Sequence, residues 1–189
     1  AGRFKGRELR AMRGKPGQGY RPATGRVREA VFSMLAARGM ALAGARVLDL
    51  FAGSGSLGFE ALSRGASYAL FIEKNRTAAR IINDNIRLLG LSSDQAAVRN
   101  KDLFAILKTG IPSGIPGYDL ICIDPPYGKD LLLPALEQLL DRNWCAEDAV
   151  ILAEVEAGLA IDPENLHPKL ALLKDKLYGQ TRIVLWTLK

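Results

Sequence analysis

The chain has 189 residues, 48% of them hydrophobic, with two cysteines, one histidine and a formal net charge of +6. That suits one soluble domain with a full core, or one domain plus a short appendage. It leaves no apolar run for a membrane span, no secretory signal and no cysteine spacing for a metal, so a cytoplasmic protein without membrane or metal is expected.

The charge is unevenly placed. Residues 1–28 carry nine Lys or Arg against the single acid Glu8, or +8, and the remainder carries −2. A concentrated basic segment ahead of a near-neutral body is the footprint of phosphate-backbone binding. Arg3, Lys5, Arg7, Arg10, Arg13 and Arg21 are the candidate contacts. Glycines and prolines punctuate residues 1–24, which read as an arm with a short strand or hairpin near Gly2–Met12 and a loop over Arg13–Tyr20. The body is residues 25–189.

Thr24 can cap a helix from Gly25 to about Arg38, ended by Gly39 or Gly44. Strands are predicted at Arg46–Leu50, Tyr68–Glu73, Ala97–Asn100, Leu120–Asp124 and Ala149–Glu154. Helices fall between them near Leu57–Arg64, Arg76–Leu89, Leu103–Lys108 and Leu131–Arg142. This alternation predicts a parallel sheet. Leu170–Tyr178 and Thr181–Leu188 flank Gly179-Gln180 and read as an antiparallel hairpin.

The strand ending at Leu50 runs into a loop where Gly53, Gly55 and Gly58 alternate with small residues, and a helix follows. Strand, glycine loop, helix is the first turn of a doubly wound domain, where the strand's carboxyl end and the helix's first N–H groups make a ligand crevice. With Asp49 at the strand end, Asp-Leu-Phe-Ala-Gly-Ser-Gly resembles motif I of S-adenosylmethionine (AdoMet) dependent methyltransferases. This marks Asp49, Phe51, Gly53, Ser54 and Gly55 as candidate cofactor contacts. Glu73 ends the second strand, about 20 residues past the glycines, where such sites hold ribose hydroxyls; Lys74 is beside it. Asp102 can accept from an adenine amino group, cap the next helix, or both.

Asp124-Pro125-Pro126-Tyr127 follows the fourth strand. Two prolines cannot continue a central ladder, so they stiffen the loop that starts there. Asp/Asn/Ser-Pro-Pro-Tyr/Phe/Trp is the motif of AdoMet enzymes that methylate a planar amino nitrogen. Such an amine is a poor nucleophile, because its lone pair is delocalised into the ring. The Asp124 carboxylate and Pro125 carbonyl would orient its N–H groups and stabilise the positive charge that grows on it, and Tyr127 would stack on an extruded base. Asp124, Pro125 and Tyr127 are therefore the candidate catalytic residues. His167 receives no role, and Glu154 and Glu156 are expected to be solvated acids.

With both motifs placed, nearly the whole chain resembles the RsmD-type family of small-subunit ribosomal RNA guanine-N2 methyltransferases. The likeness is carried by Gly2–Leu9, Arg21–Phe32, Asp49–Gly65, Asp124–Tyr127 and Tyr178-Gly179-x-Thr181, with Arg21-Pro22-x-Thr24 the discriminating segment. Ala23 and Gly25 stand where the family has Thr and Asp. The resemblance implies a Rossmann-like class I fold: a mostly parallel seven-stranded sheet, an antiparallel C-terminal hairpin and a short N-terminal β appendage. It implies AdoMet as cofactor, S-adenosylhomocysteine as product, Thr24 and Arg28 beside the cofactor, and the arm on RNA. The implied substrate is a guanine N2 of 16S rRNA in a small subunit or assembly intermediate, and a monomer is the default. A DNA adenine-N6 enzyme would need a recognition domain, a protein glutamine-N5 enzyme would not need the basic arm, and a non-catalytic rRNA-binding assembly factor would not need Asp124 and Tyr127.

Overall fold

The computed structural model describes residues 2–11 and 25–189. Seven strands form one sheet: β1 (Arg46–Leu50), β2 (Tyr68–Ile72), β3 (Ala96–Arg99), β4 (Tyr118–Ile123), β5 (Cys145–Glu156), β6 (Leu170–Tyr178) and β7 (Thr181–Leu188). The helices are α1 (Gly25–Ala37), α2 (Ser56–Ser63), α3 (Arg76–Leu88), α4 (Leu103–Leu107) and α5 (Leu132–Asp141). Spatial order is β3-β2-β1-β4-β5-β7-β6. Pairings from β3 through β5 are parallel, and β7 runs antiparallel to both β5 and β6. The mostly parallel sheet with its C-terminal hairpin matches the sequence reading.

Packing follows from alternation along the inner strands. Leu48, Leu50, Ile121, Ile123 and Ile151 face α4 and α5 around Leu136, Leu139 and Trp186. Val47, Leu120, Cys122 and Leu152 face the other helices around Phe32, Leu35, Phe59 and Leu62. Burial on both faces explains why β1 and β4 read as nearly unbroken apolar runs. After β1 the chain builds outward to β3, then returns to β1's other side as β4. That reversal is the switch point at which doubly wound sheets open a crevice beyond the strands' carboxyl ends.

Two expectations are corrected. β5 is longer than its apolar centre, Ala149–Glu154, predicted. It starts at Cys145, paired with Tyr118, then loses register before Val150 pairs with Leu120. Exposed Glu147 and Asp148 sit in that irregular stretch and break the hydrophobic pattern. The strand or hairpin expected near Gly2–Met12 does not form over residues 2–11, which run as turns and irregular chain. Their backbone groups go to the helices instead. Arg3 N–H donates to the Ser63 carbonyl at 2.8 Å and Phe4 N–H to Ser63 Oγ at 3.0 Å. Asn85 of α3, fully buried, accepts from Arg10 N–H at 2.8 Å and donates to the Arg10 carbonyl at 2.9 Å. Gly2 (φ +93°) backs onto the Ser63 carbonyl, where a Cβ has no room. The loop expected at Arg13–Tyr20, together with Arg21 and Thr24, lies outside the described residues.

Candidate active site

The switch point opens a crevice of about 650 Å³, lined by Phe51, Gly53, Glu73, Asp102, Asp124 and Tyr127 among others. That volume suits a small-molecule ligand. A wider groove of about 1080 Å³ lies at the opposite end of the strands, between α1, Asp119, Asp148 and β7. It has neither a glycine loop nor a motif, so the chemistry belongs to the smaller crevice.

The loop after β1 is shaped by backbone that only glycine adopts freely. Gly53 (φ +56°) and Gly55 (φ +80°) are left-handed, and Phe51 (φ +55°) is a non-glycine residue held in the same region. Gly55 precedes the first turn of α2 but has no side chain to cap it. Asp49 does that work from β1: Gly58 N–H donates to Asp49 Oδ2 at 2.9 Å. Asp49 is 1% exposed and lies beneath the loop rather than along the crevice. Burial pushes its carboxyl up to about 7; the Gly58 bond lowers it and the charge of Glu73 raises it. Gly58 itself sits against the Phe71 ring and 3.1 Å from Asp49 Oδ2, measured from where a Cβ would stand.

Glu73 braces the same loop. Its Oε2 accepts from Gly53 N–H at 2.8 Å and its Oε1 from Asn75 N–H at 2.7 Å. A carboxylate oxygen has two lone pairs, so both retain capacity for a ligand hydroxyl. Asp102 caps α4, accepting from Phe104 and Ala105 N–H through Oδ1 at 3.0 and 3.3 Å. Its cap and its position on the crevice wall coexist. Ile72, Leu103 and Phe104 add apolar surface between these acids.

On the other side Asp124 leaves β4, its N–H reaching the Leu50 carbonyl at 3.4 Å. Pro125 is buried and Tyr127 is 39% exposed. The Tyr127 hydroxyl is 3.2 Å from Thr181 Oγ1, and Gly128 N–H donates to Glu156 Oε1 at 3.1 Å. Gln180, in the turn of the β6–β7 hairpin, also lines the crevice. The Asp124 carboxyl is held far above the usual carboxylate range, first by burial and then by the charges of Glu154 and Asp49. Burial also raises the Tyr127 phenol.

The fold thus brings Phe51, Gly53, Glu73, Lys74, Asp102, Asp124, Pro125 and Tyr127 to one crevice. Ser54 and Gly55 are buried in the loop. Arg28 is half-buried, with Nε 3.9 Å from Glu60 Oε2. Arg3, Lys5 and Arg7 are exposed on the arm, whereas Arg10 pairs with Asp84 at 2.8 Å. Thr24, Arg13 and Arg21 lie outside the described residues. The expectation that Glu154 and Glu156 are solvated is corrected: Glu154 is 3% exposed, and Glu156 is half-buried and bonded to Gly128. The signal for Glu154 was its parity with Leu152 on a buried strand. Among the described residues no group of three His, Cys, Asp or Glu is arranged to hold a metal ion. Chemically, one wall offers an apolar slot with hydroxyl acceptors, and the other offers hydrogen-bond acceptors beside an aromatic face.

The sequence profile of a family described as Conserved hypothetical protein 95 matches residues 1–187. The protein named ribosomal RNA small subunit methyltransferase D from Haemophilus influenzae is 38% identical over 95% of this chain and 87% of its own length. A Bacillus subtilis protein named putative rRNA methyltransferase YlbH is 35% identical over 98% of this chain and 96% of its own. The solved structure titled putative methyltransferase yhhF from Escherichia coli superposes with a TM-score of 0.83 at 29% identity, covering 100% of this chain and 96% of that one.

Proposed function

Because the chain belongs to the family described as Conserved hypothetical protein 95, shared with the ribosomal RNA small subunit methyltransferases D, we propose that it methylates small-subunit ribosomal RNA. The finer reading is transfer from AdoMet to the exocyclic N2 of a guanine in 16S rRNA. One observation carries it: the glycine loop and Asp124-Pro125-Pro126-Tyr127 share a single crevice. The names of the relatives support the RNA substrate, and the exposed Arg3, Lys5 and Arg7 supply cations for a phosphate backbone.

The residues present fit AdoMet. Left-handed glycines give the crevice a backbone wall that a ligand can approach closely, Glu73 keeps lone pairs for ribose hydroxyls, and Ile72, Leu103 and Phe104 suit an adenine ring. When bound, AdoMet supplies a methyl group made electrophilic by its sulfonium. Asp124 and the Pro125 carbonyl accept from the amine N–H groups, which aims the nitrogen lone pair and stabilises the positive charge that develops on it. Tyr127 holds the extruded base by stacking.

The test is methyl transfer from labelled AdoMet to small subunits from cells lacking the gene, followed by digestion to nucleosides. Label in N2-methylguanosine is expected. Label in another nucleoside would keep the cofactor and overturn the base. No label, with AdoMet bound, would overturn the catalytic reading in favour of an assembly factor.

A further inference from the structure

The β6–β7 hairpin turns through Tyr178-Gly179-Gln180-Thr181, a stretch that the proposed chemistry leaves without a task. It stands against the loop that carries Tyr127. Pro125 is buried and the two prolines stiffen the chain leaving β4, but residues 126–130 are all exposed. The chain turns at Gly128 (φ +66°), where a Cβ would meet nothing within 4 Å. Packing therefore does little to fix the turn that follows the prolines. Two hydrogen bonds tie it to the sheet. The Tyr127 hydroxyl lies 3.2 Å from Thr181 Oγ1, and Gly128 N–H donates to Glu156 Oε1 at 3.1 Å.

Both anchors come from one rung. Glu156 at the end of β5 is the register partner of Thr181 at the start of β7, and Ala157 N–H closes the ladder beyond them on the Gln180 carbonyl at 2.9 Å. Directly opposed residues point to the same face of a sheet, so both side chains reach the same loop. The rung itself uses only the backbone of Thr181, and a valine would serve the strand equally well. The hydroxyl serves the loop. We propose that Thr181 is a positioning residue: its bond to the phenol pins the far end of the Tyr127 ring, while Glu156 pins the backbone one residue on. The inference rests on the reading of Tyr127 as the face on which the substrate base stacks. A tyrosine ring turns about two side-chain bonds. Held at its backbone and at its hydroxyl, it presents one fixed face to the base, and a fixed base keeps its amine in line with the methyl donor.

The test uses Thr181→Val, Thr181→Ser, Tyr127→Phe and the Thr181→Val/Tyr127→Phe double variant in the full chain. Valine keeps the shape of threonine and removes the hydroxyl, serine keeps the hydroxyl, and phenylalanine keeps the ring and removes the phenol. With small subunits as substrate, Thr181→Val is expected to lower kcat about three- to tenfold, the worth of one hydrogen bond, with KM little changed. Thr181→Ser should restore the rate. Tyr127→Phe should match Thr181→Val, and the double variant should be no slower than either, because both changes remove the same bond. Losses that multiply in the double variant, a loss in Thr181→Ser equal to that in Thr181→Val, or a raised KM at constant kcat would overturn the proposal. A second reading needs no substrate. In protein labelled with carbon-13 on its tyrosine rings, the Tyr127 resonance is the one that Tyr127→Phe removes. It should shift in Thr181→Val and return in Thr181→Ser, and a resonance unmoved by Thr181→Val overturns the pin. If the unaltered protein transfers no methyl group to small subunits, the reading of function fails and the resonance alone decides whether Thr181 holds the ring.

Discussion

At the scale of single residues, acids of the same chemistry are given different tasks by what surrounds them. Glu73 accepts two backbone N–H bonds at the crevice edge. Asp49 is sealed under the loop with one bond, to Gly58. Its folded carboxyl, near 7, lies above its unfolded value of 3.8. A raised acid stabilises fully below the unfolded value and loses that contribution as pH climbs through the folded one. The native state therefore weakens between about pH 4 and 8 by an amount on the order of a few kcal/mol from this residue. Asp49→Asn, with its amide oxygen still available to Gly58 N–H, should remove most of that slope. Calorimetry across the range reads it, and an unchanged slope would show that Asp49 is not the group responsible. Asp124 carries the opposite expectation. Asp124→Ala should abolish methyl transfer by at least about a hundredfold, the cost of removing a positioned acceptor, while AdoMet binding, read by calorimetric titration, is retained.

At the scale of elements, what was legible in the sequence depended on whether local pattern or distant partners set the structure. β1, β4 and the glycine loop are written in short apolar runs and in residues that stop them, and both motifs sit where those runs end. The arm is different. Phe4 and Leu9 gave it too little pattern to read, and its conformation is set by Ser63 and Asn85, about 60 and 75 residues away. No local rule exposes such a clamp. Glu154 escaped for a related reason: a charged letter in a strand reads as solvent-facing until its neighbours are known. Gly58 is the reverse case, a position whose identity the packing demands. A Cβ there runs into the Phe71 ring and presses on Asp49, where the Phe59 and Phe71 rings already pack at a tilt with centroids 4.8 Å apart. Gly58→Ala should cost about 1–3 kcal/mol through overpacking. A melting temperature within a degree of the unaltered protein would mean that Phe71 can move aside freely.

For the whole molecule, the central question is how a near-neutral body, −2 over residues 29–189, finds a polyanion. The +8 segment answers it only if it is held where the RNA must come. Residues 2–11 are held. Asn85 and Ser63 fix the arm along α2 and α3, so Arg3, Lys5 and Arg7 stand exposed on a supported backbone, while Arg10 is partly engaged by Asp84. A fixed cationic edge acts at range, and its strength is read from salt. For every phosphate no longer neutralised, the slope of log K against log salt should flatten by about 0.7 to 0.9. Replacing Arg3, Lys5 and Arg7 by glutamine should therefore weaken binding to small-subunit RNA and reduce the slope by about two to three, with AdoMet affinity unchanged. Asn85→Ala keeps every one of those charges and removes the clamp. If position matters as well as charge, that variant should bind RNA more weakly with a smaller change in slope, and its arm should become sensitive to trypsin. RNA affinity insensitive to both changes would place the RNA on another surface. Equal loss of AdoMet binding in both would mean that the arm supports the fold around the crevice and does not meet the RNA.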